Sequence, residues 1–263
     1  MLSGHRGYRA AEVENTAVAF ERAIRAGVDY VEFDVRRTRD GHLVVFHDRR
    51  VDRLLNARGP LAGFTLSQLR RLRYADDQRV LTLDELFEEF RGRVKFLLEI
   101  KDRGIEERVV AAIGRAEVEG DVIVQSFSGR DVAGCRRLAP DLTYGLCLGP
   151  VGKVPGGDAT RLHRVISKFA YQLLVARYPV TWLNLDGPYL YDAFVEHAHR
   201  MGKRVILGAA RTAAYLDKLE TWHVEMINAD DPVDVRRRVK ALWGDHFLFS
   251  TEAGQKKKNE ERD

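Results

Sequence analysis

A chain of 263 residues with 45% apolar content has ordinary globular composition, and its length suits one barrel of alternating strands and helices, which runs to about 250 residues. Its 43 basic and 39 acidic residues leave a net charge of +4 with both signs interspersed, which argues against a nucleic-acid partner. The two cysteines, Cys135 and Cys147, lack metal-ligand spacing and form no disulfide framework, and no apolar run nears the roughly 18 residues that mark an integral membrane segment.

In chain order, Met1–His5 reads as a first strand. Asn15 to Ala26 follows as a helix, with Val18, Ala19, Ile24 and Ala26 on its buried face and Gly27 as its stop. Asp29–Val35 is the second strand, and His42–Phe46 a small extra one. Asp48 to Leu81 then breaks the rhythm with Gly59-Pro60, Gly63 and a helical patch at Thr65–Leu72. This is an insertion on one βα loop, expected to cap the barrel mouth. Six more strands are predicted at Val94–Ile100, Val122–Gln125, Thr143–Leu148, Thr181–Leu185, Arg204–Leu207 and Val224–Asn228. Helices fall at Asp84–Phe90, Ile105–Glu117, Arg130–Leu138, Leu162–Ala176, Leu190–Arg200, Ala213–Trp222 and Val233–Leu242, the last with Pro232 in its first turn.

The strands are apolar and β-branched with little alternation, as in a parallel sheet covered on both faces. Eight strands and about eight helices in alternation predict an α/β fold, a (β/α)8 TIM barrel with a small insertion after the second strand. A doubly wound open sheet is the rival, but it suits six or seven strands better. Residues 1–243 form a single domain on this reading, and residues 244–263 a flexible tail in which Lys256 to Lys258 are followed by Glu260, Glu261 and Asp263. His5 leaves no room for a signal peptide before the first motif, so a cytoplasmic location is expected.

Chemistry in such a barrel collects at the C-terminal ends of the strands. His5 and Arg6 end the first strand, and Glu32 and Asp34 the second. Glu32 and Asp34 are two apart and share a side. If that side faces the axis, a cation or proton must sit between them. Glu99 and Lys101 close the third strand in the same spacing. Three carboxylates make a hard-oxygen site suited to Mg2+ or Ca2+. Arg6 and Lys101 can hold the remaining oxygens of a phosphate. Alone, a Glu-x-Asp is usually a solvated strand end or a salt-bridge pair, a Glu-x-Lys a surface ion pair, and a lone histidine structural. Their joint placement at the ends of apolar strands reverses those odds. Asn15 is either the N-cap of the first helix, worth typically ~1 kcal/mol, or a loop residue whose amide reaches the site.

The ordered series resembles the glycerophosphodiester phosphodiesterase family. It is carried by Gly4-His5-Arg6-Gly7, Glu14-Asn15-Thr16, Glu32-x-Asp34, Thr38-x-Asp40-Gly41, Val44-Val45-Phe46-His47-Asp48 and Asp52-Arg53. Thr82-Leu83-Asp84-Glu85, Leu98-Glu99-Ile100-Lys101 and Gln125-Ser126-Phe127 continue it in order. The resemblance implies a TIM-barrel phosphodiesterase of glycerol and lipid metabolism. It implies His5 and His47 as the acid–base pair, and Glu32, Asp34 and Glu99 as ligands of one divalent cation, Mg2+ or Ca2+, with Mn2+ an alternative. Arg6 and Lys101 match its phosphate-contacting cations, with Asn15 and Gln125 in support. From spacing alone, His47 has no role beyond its place beside the insertion. The implied substrate is a small-molecule glycerophosphodiester, cleaved to glycerol 3-phosphate and an alcohol. Attack by the glycerol hydroxyl through a cyclic phosphate and direct attack by water both stay open.

The C-terminal half departs from the family pattern. Where the family's seventh strand ends in Trp-Thr-Val-Asn, this chain reads Gly208-Ala209-Ala210-Arg211, and Thr-Asp-x-Pro survives as Ala229-Asp230-Asp231-Pro232, in which Asp230 is expected to keep its structural place. Gly208 either widens the pocket for a bulkier leaving group, or Trp182, Tyr189 or another aromatic supplies the wall. The alternative functions are a lysophospholipase-D-like or phospholipase-C-like enzyme acting on lipid, and a non-catalytic barrel that binds phosphoesters.

Overall fold

Each barrel strand has two jobs, set by the two-residue period of its side chains. On the second strand Val31, Phe33 and Val35 point one way, and Tyr30, Glu32 and Asp34 the other. The computed structural model describes residues 1–149, 177–185, 192–208, 216 and 219–244. In it the first set joins a large core between sheet and helices, and Tyr30 joins a smaller one inside the barrel.

The strands are β1 (Leu2–Gly4), β2 (Tyr30–Arg37), β3 (Leu43–Val45), β4 (Lys95–Ile100), β5 (Val122–Ser126), β6 (Thr143–Leu148), β7 (Trp182–Leu185), β8 (Arg204–Leu207) and β9 (Met226–Ala229). The helices are α1 (Ala17–Arg25), α2 (Leu66–Leu69), α3 (Leu83–Phe90), α4 (Glu106–Ala116), α5 (Gly129–Leu138), α6 (Asp192–Arg200), α7 (Leu219–Trp222) and α8 (Pro232–Trp243). The sheet runs β1-β9-β8-β7-β6-β5-β4-β2 and closes through β1–β2, every one of these pairs being parallel. The expected eight-stranded barrel is therefore present, with β3 added antiparallel to β2.

Tyr30, Leu97, Ile123, Trp182, Ile206 and Met226 fill the lower barrel. Above them the inward positions turn polar. Outside, Phe20, Phe33, Phe87, Phe90 and Phe96 pack edge to face where α1 and α3 meet β2 and β4, with ring centroids 5.1 to 6.3 Å apart. The helices carry local start signals. Thr82 and Glu85 form a capping box on α3, and Asp231 caps α8 ahead of Pro232.

The insertion keeps a core of its own. Val44, Phe46, Val51, Leu55, Leu61, Leu69, Tyr74 and Val80 are buried together. The predicted Thr65–Leu72 patch is a short α2 with Thr65 as cap. Of the two roles open to Asn15, capping falls to its neighbour: Thr16 caps α1, its side chain accepting from the Ala19 amide at 3.3 Å. Asn15 stands outside the helix with φ 59°. The predicted helix Leu162–Ala176 and the tail beyond Gly244 lie outside the described residues, as do residues 209–215 and Tyr189. No described helix is long and apolar enough to cross a membrane.

Phe87 is fully buried and touches both Phe33 and Phe96 edge-on. Phe87→Ala is expected to cost about 3–5 kcal/mol of stability. A denaturant titration showing a loss below about 1 kcal/mol would mean the cluster re-collapses.

Candidate active site

The polar layer of the barrel begins with β2. Glu32 and Asp34 point inward, and register aligns Asp34 with Glu99 on β4. The three carboxylates are buried, and each offers an oxygen within 4.8 Å of the others. Lys101 follows β4, its amide donating to the Val35 carbonyl at 3.1 Å, so the strand geometry carries one residue further. Its Nζ lies 2.5 Å from Glu99 Oε1 and 3.1 Å from Asp34 Oδ1.

Arg6 reaches the same carboxylates from the first βα loop. Its backbone N–H donates to Glu32 Oε2 at 2.9 Å, and its Nε lies 3.3 Å from Asp34 Oδ2. Arg6 makes both contacts from a left-handed backbone, φ 55°. Asn15 adopts φ 59°. Its amide clamps Asp34 twice, Nδ2 donating to Oδ2 at 2.9 Å and Oδ1 accepting from the Asp34 amide at 3.3 Å. Two non-glycine residues in this sparsely populated region, both holding one carboxylate, mark a site whose backbone is constrained for its contacts. Gly7 completes the turn at φ 80°, where a Cβ would stand 2.6 Å from the Ala19 backbone.

The two histidines arrive by different routes. His5 extends β1, its amide donating to the Ala229 carbonyl at 2.9 Å. His47 is brought to the site by the β2–β3 pairing: the Phe46 amide donates to the Asp34 carbonyl at 2.9 Å, and Arg36 Nε donates to the His47 carbonyl at 2.7 Å. Each histidine presents Nδ1 to an aspartate, His5 to Asp230 Oδ1 at 2.5 Å and His47 to Asp48 Oδ1 at 2.7 Å. A carboxylate only accepts, so Nδ1 carries the proton on both rings and Nε2 is left for chemistry. Arg9 Nη1 also lies 3.3 Å from His5 Nδ1, but the shorter carboxylate contact decides the tautomer.

Electrostatics follow burial first and neighbours second. Burial and then Asp34 and Glu99 push the Glu32 carboxyl well above the usual carboxylate range. Burial likewise raises Glu99, to about 7. Asp34 is buried too, but Lys101 and Arg6 outweigh the desolvation and hold it far below its ordinary value. Burial lowers both imidazoles, against the upward pull of Asp230 on His5 and of Asp34 on His47. Asp34 Oδ1 and Glu99 Oε1 are buried, and both face the Lys101 ammonium. A buried hard-oxygen set with raised carboxyls and an ammonium already drawn between two of them fits a divalent cation.

The cavity above these groups has a volume of about 180 Å3. His5, Arg6, Glu32, His47, Glu99 and Lys101 line it, joined by Phe127, Cys147, Asn184, Gly208 and Asn228. Gln125, paired in register with Glu99, is buried, its Oε1 accepting from Asn184 Nδ2 at 3.0 Å. Phe127, Asn184 and Asn228 had no site role in the sequence reading. Their signal was an aromatic or amide at or just beyond the end of an apolar strand. Asp230 holds His5 directly. Trp182 is not the cavity wall, because it packs in the lower barrel layer. The described aromatic on the wall is Phe127, 58% exposed, with Lys101 Nζ 5.6 Å from its ring centroid. At Gly208 a Cβ would meet the Leu185 carbonyl oxygen at 2.7 Å, so this backbone admits no side chain there.

Glu14 is a buried anion of the first loop. Arg6 Nη1 donates to its Oε1 at 2.8 Å, and Arg53 from the insertion grips both its oxygens. Burial opposes the Glu14 charge, but Arg53 and Arg6 prevail and hold its carboxyl below the ordinary 4.5. A depressed folded-state value stabilises the fold above the unfolded value and loses that contribution as pH falls. Relative to Glu14→Gln, the native protein is expected to keep a constant stability margin above about pH 5 and a shrinking one below it. Denaturant titrations at several pH values measure this. A margin that stays flat down to about pH 3 would refute it.

The profile of the Glycerophosphoryl diester phosphodiesterase family matches residues 5–234. A glycerophosphodiester phosphodiesterase of Caldanaerobacter subterraneus subsp. tengcongensis is 37% identical over 161 residues, covering 56% of this chain and 65% of that protein. The chain spans just under two-thirds of the length of the curated relatives it matches. Among solved structures, a glycerophosphodiester phosphodiesterase from Agrobacterium tumefaciens superposes with a TM-score of 0.70 at 25% identity, over 88% of this chain and 96% of that one. An Oleispira antarctica phosphodiesterase, solved in complex with the product sn-glycerol-3-phosphate, shares the fold with a TM-score of 0.75 at 21% identity, over 91% and 96% of the two chains. With the profile matched from His5 through to α8, the chain belongs to the glycerophosphoryl diester phosphodiesterase family.

Proposed function

We propose that this protein hydrolyses glycerophosphodiesters to glycerol 3-phosphate and an alcohol, using His5 and His47 for proton transfer beside one divalent cation. The observation that carries the reading is the pair of His–Asp couples at the acidic cavity, each with Nε2 left for chemistry. A barrel that only bound phosphoesters would have no use for two such imidazoles. The family's name and the product held by the Oleispira antarctica relative point to the same substrate class.

Glu32, Asp34 and Glu99 would hold the cation, Mg2+ or Ca2+ by their oxygen chemistry, with Mn2+ an alternative. When bound, such an ion offsets the phosphodiester's negative charge and polarises a phosphoryl oxygen. Arg6 and Lys101 then meet the other phosphate oxygens. One imidazole takes the proton of the attacking hydroxyl at Nε2, while the other, charged, gives its Nε2 proton to the leaving alcohol. The aspartates fix each ring and favour its charged form.

The test is turnover of glycerophosphocholine and lysophosphatidylcholine with Mg2+, Ca2+, Mn2+ or chelator. Metal-dependent turnover of glycerophosphocholine is expected, with His5→Ala and His47→Ala each slowing kcat by about 10^2- to 10^4-fold. Full activity in chelator removes the cation from the proposal, and wild-type rates in both histidine variants remove the acid–base pair. Preference for lysophosphatidylcholine would turn the reading to lipid substrates.

A further inference from the structure

Arg53 belongs to the insertion, not to a barrel strand, yet it ties together two parts of the site that no shared backbone element fixes. Its Nε lies 2.6 Å from Asp48 Oδ2, and its Nη1 and Nη2 lie 3.1 and 2.7 Å from Glu14 Oε2 and Oε1. Asp48 in turn holds His47 Nδ1, and Glu14 holds Arg6 Nη1. Arg6 Nε faces Asp34. Charge thus alternates along one line of side chains, from Asp34 through Arg6, Glu14 and Arg53 to Asp48, which holds the His47 ring. The planar fork of a guanidinium is what lets one residue serve two carboxylates, which a lysine ammonium cannot copy.

The backbone of Arg53 is set by the insertion's own packing. Leu54 and Leu55 donate to the Val51 carbonyl at 3.2 and 3.0 Å, and Val51 and Leu55 are buried in the insertion core. His47, by contrast, is only partly buried, with 31% of its side chain exposed, so packing alone does not fix its ring. An ordinary surface ion pair would matter little. This one differs because Glu14 is 6% exposed and because a catalytic group displaced by about 1 Å can cost 10^2-fold in rate.

We propose that Arg53 is a positioning residue that sets His47 and the phosphate-facing Arg6 in one frame, so that the insertion is part of the reaction apparatus and not merely a cover. This rests on the phosphodiesterase reading above. Arg53→Ala is expected to lower kcat/KM for glycerophosphocholine roughly 10- to 100-fold, with kcat falling and KM rising. Millimolar guanidinium should restore part of that loss, and Arg53→Lys should recover less than the guanidinium does. In a His47→Ala background the same substitution should add a much smaller factor, because the histidine it positions is gone.

Two readouts do not need turnover. The Nδ1–H signal of His47 in 15N-histidine spectra, identified by its absence in His47→Ala, should broaden or shift in Arg53→Ala while that of His5 stays. Binding of inorganic phosphate should weaken. A wild type that leaves glycerophosphocholine intact defeats the functional reading, and these two measurements then still decide the role of Arg53. Activity within roughly twofold of wild type with an unmoved His47 signal would overturn the proposal. So would a loss that follows Tm, equals that in the His47→Ala background and resists guanidinium.

Discussion

Holding three carboxylates within 4.8 Å of one another in a buried layer is electrostatically unfavourable, and most of the surrounding arrangement answers that strain. Lys101 places its ammonium between two of them. Arg6 bends into a left-handed backbone so that its amide serves Glu32 while its guanidinium faces Asp34. Asn15, likewise left-handed, donates to the same Asp34 Oδ2 that Arg6 faces. Even so the balance is incomplete, since Glu32 and Glu99 stay raised. That imbalance of charge is what the proposed cation would answer.

The barrel makes this tolerable by separating stability from chemistry along the same strands. On β2 the outward residues Val31, Phe33 and Val35 join the phenylalanine cluster and the helices. The inward residues pass from Tyr30 in the apolar lower layer to Glu32 and Asp34 in the polar one. The packed lower layer holds strand ends at fixed spacing, so the costly groups above it cannot drift apart to relieve themselves. Closure through β1–β2 matters equally, because it brings His5 and Arg6 beside residues from β2 and β4.

Much of this was legible beforehand. Eight apolar runs spaced by amphipathic stretches announced the barrel, since local hydrophobic period survives into the fold. Glu32-x-Asp34 and Glu99-x-Lys101 announced the acidic layer, because a two-residue spacing at a strand end has one geometric consequence. Asn15 was harder. An asparagine before a helix reads as a cap, but Thr16 beside it does that work with a hydroxyl, which frees the Asn15 amide for Asp34. Trp182 looked a fair substitute for a missing pocket wall until register set it in the lower layer, while Phe127, just beyond β5, reached the cavity.

The sequence by itself determined the alternation of elements, the identity of the acidic and basic groups and the strand ends on which they sit, because each depends on spacing within a few residues. Only the tertiary structure decided the partners. His47 acquires its place from the antiparallel pairing of β2 with β3, and its orientation from Asp48. His5 finds Asp230 across 225 residues of chain. Arg53 meets Glu14 only because the insertion folds on its own core against the rim. These contacts join residues distant along the chain, so no local period encodes them, and closing the barrel is the step that makes them neighbours.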